Sequence, residues 1–408
     1  MSSQVVVTGL GAVTPIGIGV EEFWRGLIAG KNGVSEITAF DTSSYPNHRG
    51  GQIKDFAPNR YLQPEQVKRL GRGSQLAVVA AKMAMENAGI TELSNPQRAG
   101  VCLGTTYGEA QALELMDRQW AQSGIEGIDP GLLLSNSNHL LAINVAAEFG
   151  IEGPVEMMLN ACAAGNCAIG YAFDQIRSGA LDVALAGGAD PLSEVAFAGF
   201  NRLFAVAPEM CQPFDKNRKG MVVSEGAAVI VMESLEHAIK RNAEIYAEVA
   251  GYGVSCDAYH ITGPHPQAIG AIRAIENVLA ETGISLDEID YINAHGTGTQ
   301  ANDKTETLAI KKVFGERAKQ IPVSSIKSML GHSMGAASAT EAVASALVIQ
   351  RGIIPPTINH EEQDPECDID CVPNVARERQ VKTVISNSLA FGGNCVALAL
   401  KRFDQAGV

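Results

Sequence analysis

Two helical stretches of this chain are rich in small residues, and each is preceded by a strand-like run and followed by another. The first leaves a turn at Cys162, runs to Ser178 and carries Ala168, Gly170 and Ala172. The second spans Ser333 to Ile349 and is full of Ala and Gly. Small side chains let backbones approach closely, so both helices belong in a buried central layer. Extended runs precede them at Pro154–Leu159 and Pro322–Ile326, the latter followed by a loop at Lys327–Gly331. After the first comes a strand at Val183–Ala186 that ends in Gly187-Gly188-Ala189-Asp190, and after the second a strand at Val381–Ser386. The repeated order predicts an internal duplication whose halves meet near residue 250, with residues 1–248 in one half and 249–408 in the other. Strands at Gln4–Val7, Gly100–Leu103 and Val396–Leu400 and helices at Val20–Ala29 and Gly73–Ala88 complete an α/β pattern.

Composition narrows what such a fold can do. A net charge of −14 opposes nucleic-acid binding, which needs a basic face for phosphates. No apolar run approaches a membrane span and the start lacks a signal-type segment, so a cytoplasmic protein is expected. Eight cysteines scattered through a long chain read as reduced thiols rather than a disulfide framework.

Cys162 lies in Asn160-Ala161-Cys162-Ala163-Ala164-Gly165, where a strand turns into the first small-residue helix. Free N–H groups and the positive end of the helix dipole at such a start favour thiolate over thiol, which makes Cys162 a candidate nucleophile; a buried structural thiol is the alternative. The second half supplies partners. His295 sits in Asn293-Ala294-His295-Gly296-Thr297-Gly298-Thr299, a strand end opening into a Gly/Thr loop. His332 sits at the start of the second small-residue helix, where the dipole favours a neutral imidazole able to donate to an oxyanion. Cysteine and histidine at matching half-repeat positions, with a second histidine, describe a Cys-His-His site.

Three weaker signals carry less. Cys367 and Cys371 lack a second ligand pair at metal-site spacing. The opening Val7-Thr8-Gly9-Leu10-Gly11 has Thr14 where a dinucleotide loop needs its third glycine. Lys68, Arg69 and Arg72 form a short basic cluster.

Val7-Thr8-Gly9-Leu10-Gly11, Ala161-Cys162-Ala163, Ala186-Gly187-Gly188-Ala189, Cys211-Gln212-Pro213-Phe214-Asp215, Asn293-Ala294-His295-Gly296-Thr297, Lys327-Ser328-Met329-Leu330-Gly331-His332 and Phe391-Gly392-Gly393 occur here in order. On these motifs the chain resembles the elongating β-ketoacyl-acyl-carrier-protein synthases of the thiolase-like superfamily over nearly its whole length. The resemblance implies two fused halves, each with a five-stranded mixed sheet, in α-β-α-β-α layers, and a homodimer or a heterodimer with a chain-length-factor-like homologue. It implies acylation of Cys162, an oxyanion hole from the N–H groups of Cys162 and Phe391, and malonyl decarboxylation at His295 and His332. Lys327 would support the histidines with Glu306 or Glu341 as carboxylate partner. Thr262, Thr297 and Thr299 would meet the phosphopantetheine arm of an acyl carrier protein, which the basic cluster would help to dock, and Phe391 would gate the site. No metal or cofactor held by the chain itself is expected.

Four residues depart from the family pattern: Asn160 and Ala164 beside the sulfur, Ala390 where the gate has glycine, and Cys395 for asparagine. Ala390 should restrict the gate. These changes leave fatty-acid and type II polyketide chemistry open as substrates. A non-catalytic chain-length factor would lack Cys162. A thiolase or CoA-primed enzyme is disfavoured by His332 in Gly331-His332.

Overall fold

The computed structural model describes residues 3–404. Ten strands form the main sheet: β1 (Val5–Thr14), β2 (Ala99–Gly104), β3 (Val155–Met158), β4 (Val183–Asp190), β5 (Gly226–Ser234), β6 (Ala247–Cys256), β7 (Tyr291–Asn293), β8 (Val323–Ser324), β9 (Thr383–Leu389) and β10 (Asn394–Lys401), with a two-residue strand, Gly17–Ile18, added at β1. The first five lie in the order β1-β5-β4-β2-β3 and the second five in the order β6-β10-β9-β7-β8. Counted within each set, both read one, five, four, two, three. Strand directions repeat as well: β2 and β7 are parallel to both neighbours, while β5 and β10 are antiparallel to theirs. The two sets join edge to edge through a short antiparallel seam, Val6 opposite Glu248 and Val7 opposite Ala247, so one hydrogen-bonded path runs through both.

Six helices make the layers: α1 (Arg72–Asn87), α2 (Leu140–Phe149), α3 (Ala164–Arg177), α4 (Ile269–Thr282), α5 (Gln300–Phe314) and α6 (Gly335–Arg351). α1 and α2 cover the outer face of the first set, and α4, backed by α5, covers the second. α3 and α6 are the small-residue helices, and they pack on each other between the two sets. From Gly335 to Ile349 every residue of α6 is buried. Their contact depends on size, since a Cβ on Gly165 would stand 2.7 Å from the Ala339 nitrogen. α6 stops where Gly352 takes the left-handed conformation that closes many helices.

Some local expectations shift. Gly187–Asp190 continues β4 rather than leaving it, and Lys327–Leu330 is one helical turn rather than a loop, which fixes Lys327 in direction. The glycines of Val7-Thr8-Gly9-Leu10-Gly11 lie within β1, where a Cβ on Gly11 would stand 2.0 Å from the Ala80 oxygen of α1. They serve close helix–sheet packing. No helix among the described residues is long and apolar enough to cross a membrane.

Candidate active site

The chain leaves β3 and enters α3 through a 3₁₀ turn, Ala161–Ala163, in which Ala161 has a φ of 49°. That left-handed conformation is unfavourable for a residue with a Cβ and persists only where its surroundings enforce it. It sets Cys162 with its sulfur 3.0 Å from Nε2 of His332. His332 precedes α6, which begins at Gly335, and the first half fixes it from behind: its N–H donates to the Val222 oxygen at 2.7 Å and its carbonyl accepts from Ser224 at 3.0 Å. His295 follows β7, its ring centroid 5.4 Å from that of His332 and nearly perpendicular to it. Donor atoms of Cys162, His295 and His332 all lie within 4.8 Å of one another. The starts of the two small-residue helices and the end of β7 thus bring three residues from distant sequence to one point.

Behind them stands a buried ionic layer. Lys327 forms an ion pair with Glu341 of α6, and its Nζ lies 3.4 Å from Nδ1 of His295. An ammonium only donates, so Nδ1 of His295 accepts and the ring proton resides on Nε2. Both histidines are held well below the ordinary histidine range, first by burial and then by the Lys327 charge. Both rings are therefore neutral.

Glu306 does something else than expected. It does not pair with Lys327; its two oxygens accept the backbone N–H groups of His295 and Gly296, each at 2.8 Å, which fixes the loop that carries the histidine. Burial pushes its carboxyl up to about 7 against those two bonds. Neither Glu306 nor Glu341 lines the cleft, so both support the histidines rather than meet a substrate.

The thiol also corrects the sequence reading. Burial pushes Cys162 up to about 12, with the Lys327 charge opposing, so desolvation outweighs the helix start and the resting group is a thiol beside a neutral imidazole.

A cleft of about 230 Å³ reaches Cys162, His295 and His332 from the surface. Thr262, Thr297 and Thr299 stand on its wall with Phe200, Leu203 and Met221. The hydroxyls of Thr297 and Thr299 lie 3.0 Å apart. Phe391, 37% exposed, borders the cleft with its ring centroid 5.6 Å from that of Phe200. Positive φ falls on Gly392 (80°) and Gly393 (81°), whereas Ala390 is extended at φ −124°, a conformation any residue adopts. The alanine therefore introduces no strain in this state of the gate. Cys395 lines the same cleft, its thiol donating to the Gly393 oxygen at 3.5 Å.

The basic cluster is largely engaged: Arg72 pairs with Glu225 at 2.8 Å, and Arg69 donates to Asn144. Three contributors escaped the sequence reading. Phe200 packs against Phe391 at the cleft wall. Asn166, in the first turn of α3, donates to Ser388 at 2.9 Å and ties the helix that follows Cys162 to β9. Asp190 accepts the N–H of Gly335 at 2.7 Å and ties the end of β4 to the start of α6. Asn166 was visible as an amide in the first turn of a small-residue helix; Phe200 left no signal.

Comparison with known proteins decides the family. The N-terminal domain of β-ketoacyl synthases matches residues 2–238, and the C-terminal domain matches residues 246–361. The chain belongs to the β-ketoacyl synthase family. It is thus an acyl-transferring condensing enzyme with the thiolase-like α/β fold. A 3-oxoacyl-acyl-carrier-protein synthase 2 of Synechocystis is 41% identical over 98% of both chains. Among solved structures, the ishigamide ketosynthase/chain length factor superposes with a TM-score of 0.96 at 45% identity, covering 99% of this chain and 100% of that one. A type II polyketide ketosynthase solved with its acyl carrier protein and bound to a hexaketide gives a TM-score of 0.92 at 34% identity, covering 99% and 100%.

Proposed function

We propose that this ketosynthase elongates acyl chains by decarboxylative condensation, with Cys162 as nucleophile, His295, His332 and Lys327 as the decarboxylation group, and Phe391 as gate and oxyanion donor. The observation that carries the reading is the 3.0 Å contact between the Cys162 sulfur and His332, with His295 held as a neutral Nε2–H donor by Lys327. The work divides between two halves, expected at 1–248 and 249–408, whose meeting point falls at the start of β6 (Ala247–Cys256).

Acyl transfer begins as the Cys162 sulfur attacks a carrier-bound thioester and its proton passes to Nε2 of His332. Cys162 and Phe391 each lie in the first turn of a short 3₁₀ segment, where backbone N–H groups have no intrahelical acceptor, so both are free to bind the tetrahedral oxyanion. Collapse breaks the carrier C–S bond, and His332 returns the proton to the departing carrier sulfur. The acyl group now rests on Cys162.

Malonyl thioester then enters past Thr262, Thr297 and Thr299, whose hydroxyls suit the amides of a phosphopantetheine arm. The arm belongs to the acyl carrier protein, and the chain itself supplies no cofactor to the chemistry. Cleavage of the carboxyl C–C bond releases carbon dioxide and puts the electron pair into an enolate. Its oxygen accepts from Nε2–H of His295 and from His332 as its Nε2–H tautomer. The enolate carbon attacks the acyl-Cys162 carbonyl, forming the new C–C bond; the C–S bond to Cys162 then breaks, and the thiolate takes up from solvent the one proton that the decarboxylative condensation consumes. Fatty-acid and type II polyketide elongation share these steps, and a second thiolase-fold subunit completes the assembly. Eight free cysteines suit the reducing cytoplasm.

Intact-mass spectrometry of the purified chain offered acyl-carrier proteins of several lengths tests the reading. An acyl increment that maps to Cys162 and disappears on adding malonyl-carrier protein is expected. Absence of the increment with every chain length contradicts it.

A further inference from the structure

Asp190 closes β4, is fully buried, and carries a carboxylate that the proposed chemistry does not touch. Four donors from two other segments converge on it. From the segment that leaves β2 come the Thr105 hydroxyl at 2.7 Å and the N–H groups of Thr106 at 2.9 Å and Tyr107 at 2.8 Å; from the start of α6 comes the N–H of Gly335 at 2.7 Å. Burial pushes the carboxyl up to about 6 against these bonds, which leaves it mostly ionised at neutral pH, the state that a helix start favours.

The start of α6 needs such a tie. Met334, between His332 and Gly335, has φ 50° and ψ −121°, a conformation that is costly for a residue with a Cβ and persists only where its surroundings hold it. On one side of it, His332 is fixed by its backbone bonds to Val222 and Ser224. On the other, Gly335 rests so closely on Thr105 and Thr106 that a Cβ there would stand 2.6 Å from the Thr105 carbonyl carbon, and Asp190 bonds both faces of that contact. No group among the described residues bonds Nδ1 of His332, so the aim of the ring at Cys162 depends on the backbone that carries it.

We infer that Asp190 is a positioning residue: its carboxylate holds the strained Met334–Gly335 junction and thereby aims the His332 ring at the reacting atoms. The inference rests on the condensation reading, in which His332 donates to the enolate oxygen.

Release of labelled carbon dioxide from malonyl-carrier protein tests it, in Cys162→Gln throughout because the Asp190 charge also reaches the sulfur. Asp190→Ala is expected to lower kcat at least about tenfold, as misplacing a reacting group from a distance does, with KM within about twofold because Thr297 and Thr299 are untouched. Added to His332→Ala, the same change should cost less than about twofold, while added to His295→Ala it should cost its full factor. A full further loss in the His332→Ala background overturns the inference, since Asp190 would then act on the fold at large, and so does the absence of any loss. Undiminished release by His332→Ala contradicts the condensation reading itself, and the inference with it. Should Asp190→Ala fail to fold, Asp190→Asn, which keeps the shape but presents one accepting oxygen in place of two, serves in the same backgrounds with the same expectations at smaller amplitude.

Discussion

The two halves share one strand order and one set of strand directions, yet they carry different loads. In the first, the junction before the central helix holds Cys162; in the second, the equivalent junction holds His332, and the half adds Lys327, Glu341, His295 and Phe391. The first half sets one sulfur, that of Cys162, in a strained turn. The other must hold two neutral imidazoles beside a buried ammonium, which takes an ion pair and a carboxylate clamp on the backbone. The repeated strand order gives two facing helix starts, and they differ in the groups they carry.

The largest way to break this contrast is to remove the counter-ion on the second side. Glu341→Gln keeps the volume but leaves Lys327 charged and unpaired, and breaking such a pair destabilises by about 3–5 kcal/mol. Denaturant unfolding checks this, with Asp174→Asn, on a half-exposed pair of the first half, expected to change stability by no more than about 1 kcal/mol. Next, His295→Ala should lower carbon dioxide release from malonyl-carrier protein by about 10²–10³-fold, as loss of an oxyanion donor does, while acylation of Cys162 continues. Isotope-labelled malonyl release and intact mass measure the two separately.

The thiol sharpens the contrast from the other side. A Cys162 raised to about 12 is protonated throughout the physiological range, and its thiolate fraction grows about tenfold per pH unit below that value. Iodoacetamide labelling of Cys162 without substrate should therefore still be climbing between pH 8 and 10. A plateau by pH 8 would mean that the helix start, not burial, rules the sulfur. The smallest effect belongs to the gate: Ala390→Gly should destabilise by less than about 1 kcal/mol, through the freedom glycine gains in the unfolded chain.

Much of this was legible in sequence because it is periodic or local. The small-residue helices and their flanking strands announced the repeated strand order, and Cys162, His295 and His332 stood at element junctions. Three of the misreadings involve neighbours that sequence does not bring near, and one a local backbone conformation. Arg72 looked like free charge, yet its carboxylate partner, Glu225, lies 153 residues away. Glu306 looked like a lysine's counter-ion, but the fold turns it to two backbone N–H groups. The thiol's proton affinity depends on how many atoms crowd it, a property of packing rather than of the motif. Ala390 looked restrictive until its extended backbone showed that the positive φ values belong to Gly392 and Gly393.

The division of labour between the halves is tested most directly by one pair of variants on malonyl-carrier protein. Cys162→Gln, which lacks the sulfur but fills its place, should lose all condensation and still release carbon dioxide, while Cys162→Gln combined with His295→Ala should release about 10²–10³-fold less. Equal carbon dioxide release from the single and double variants would contradict the account, because decarboxylation would then not depend on the second half.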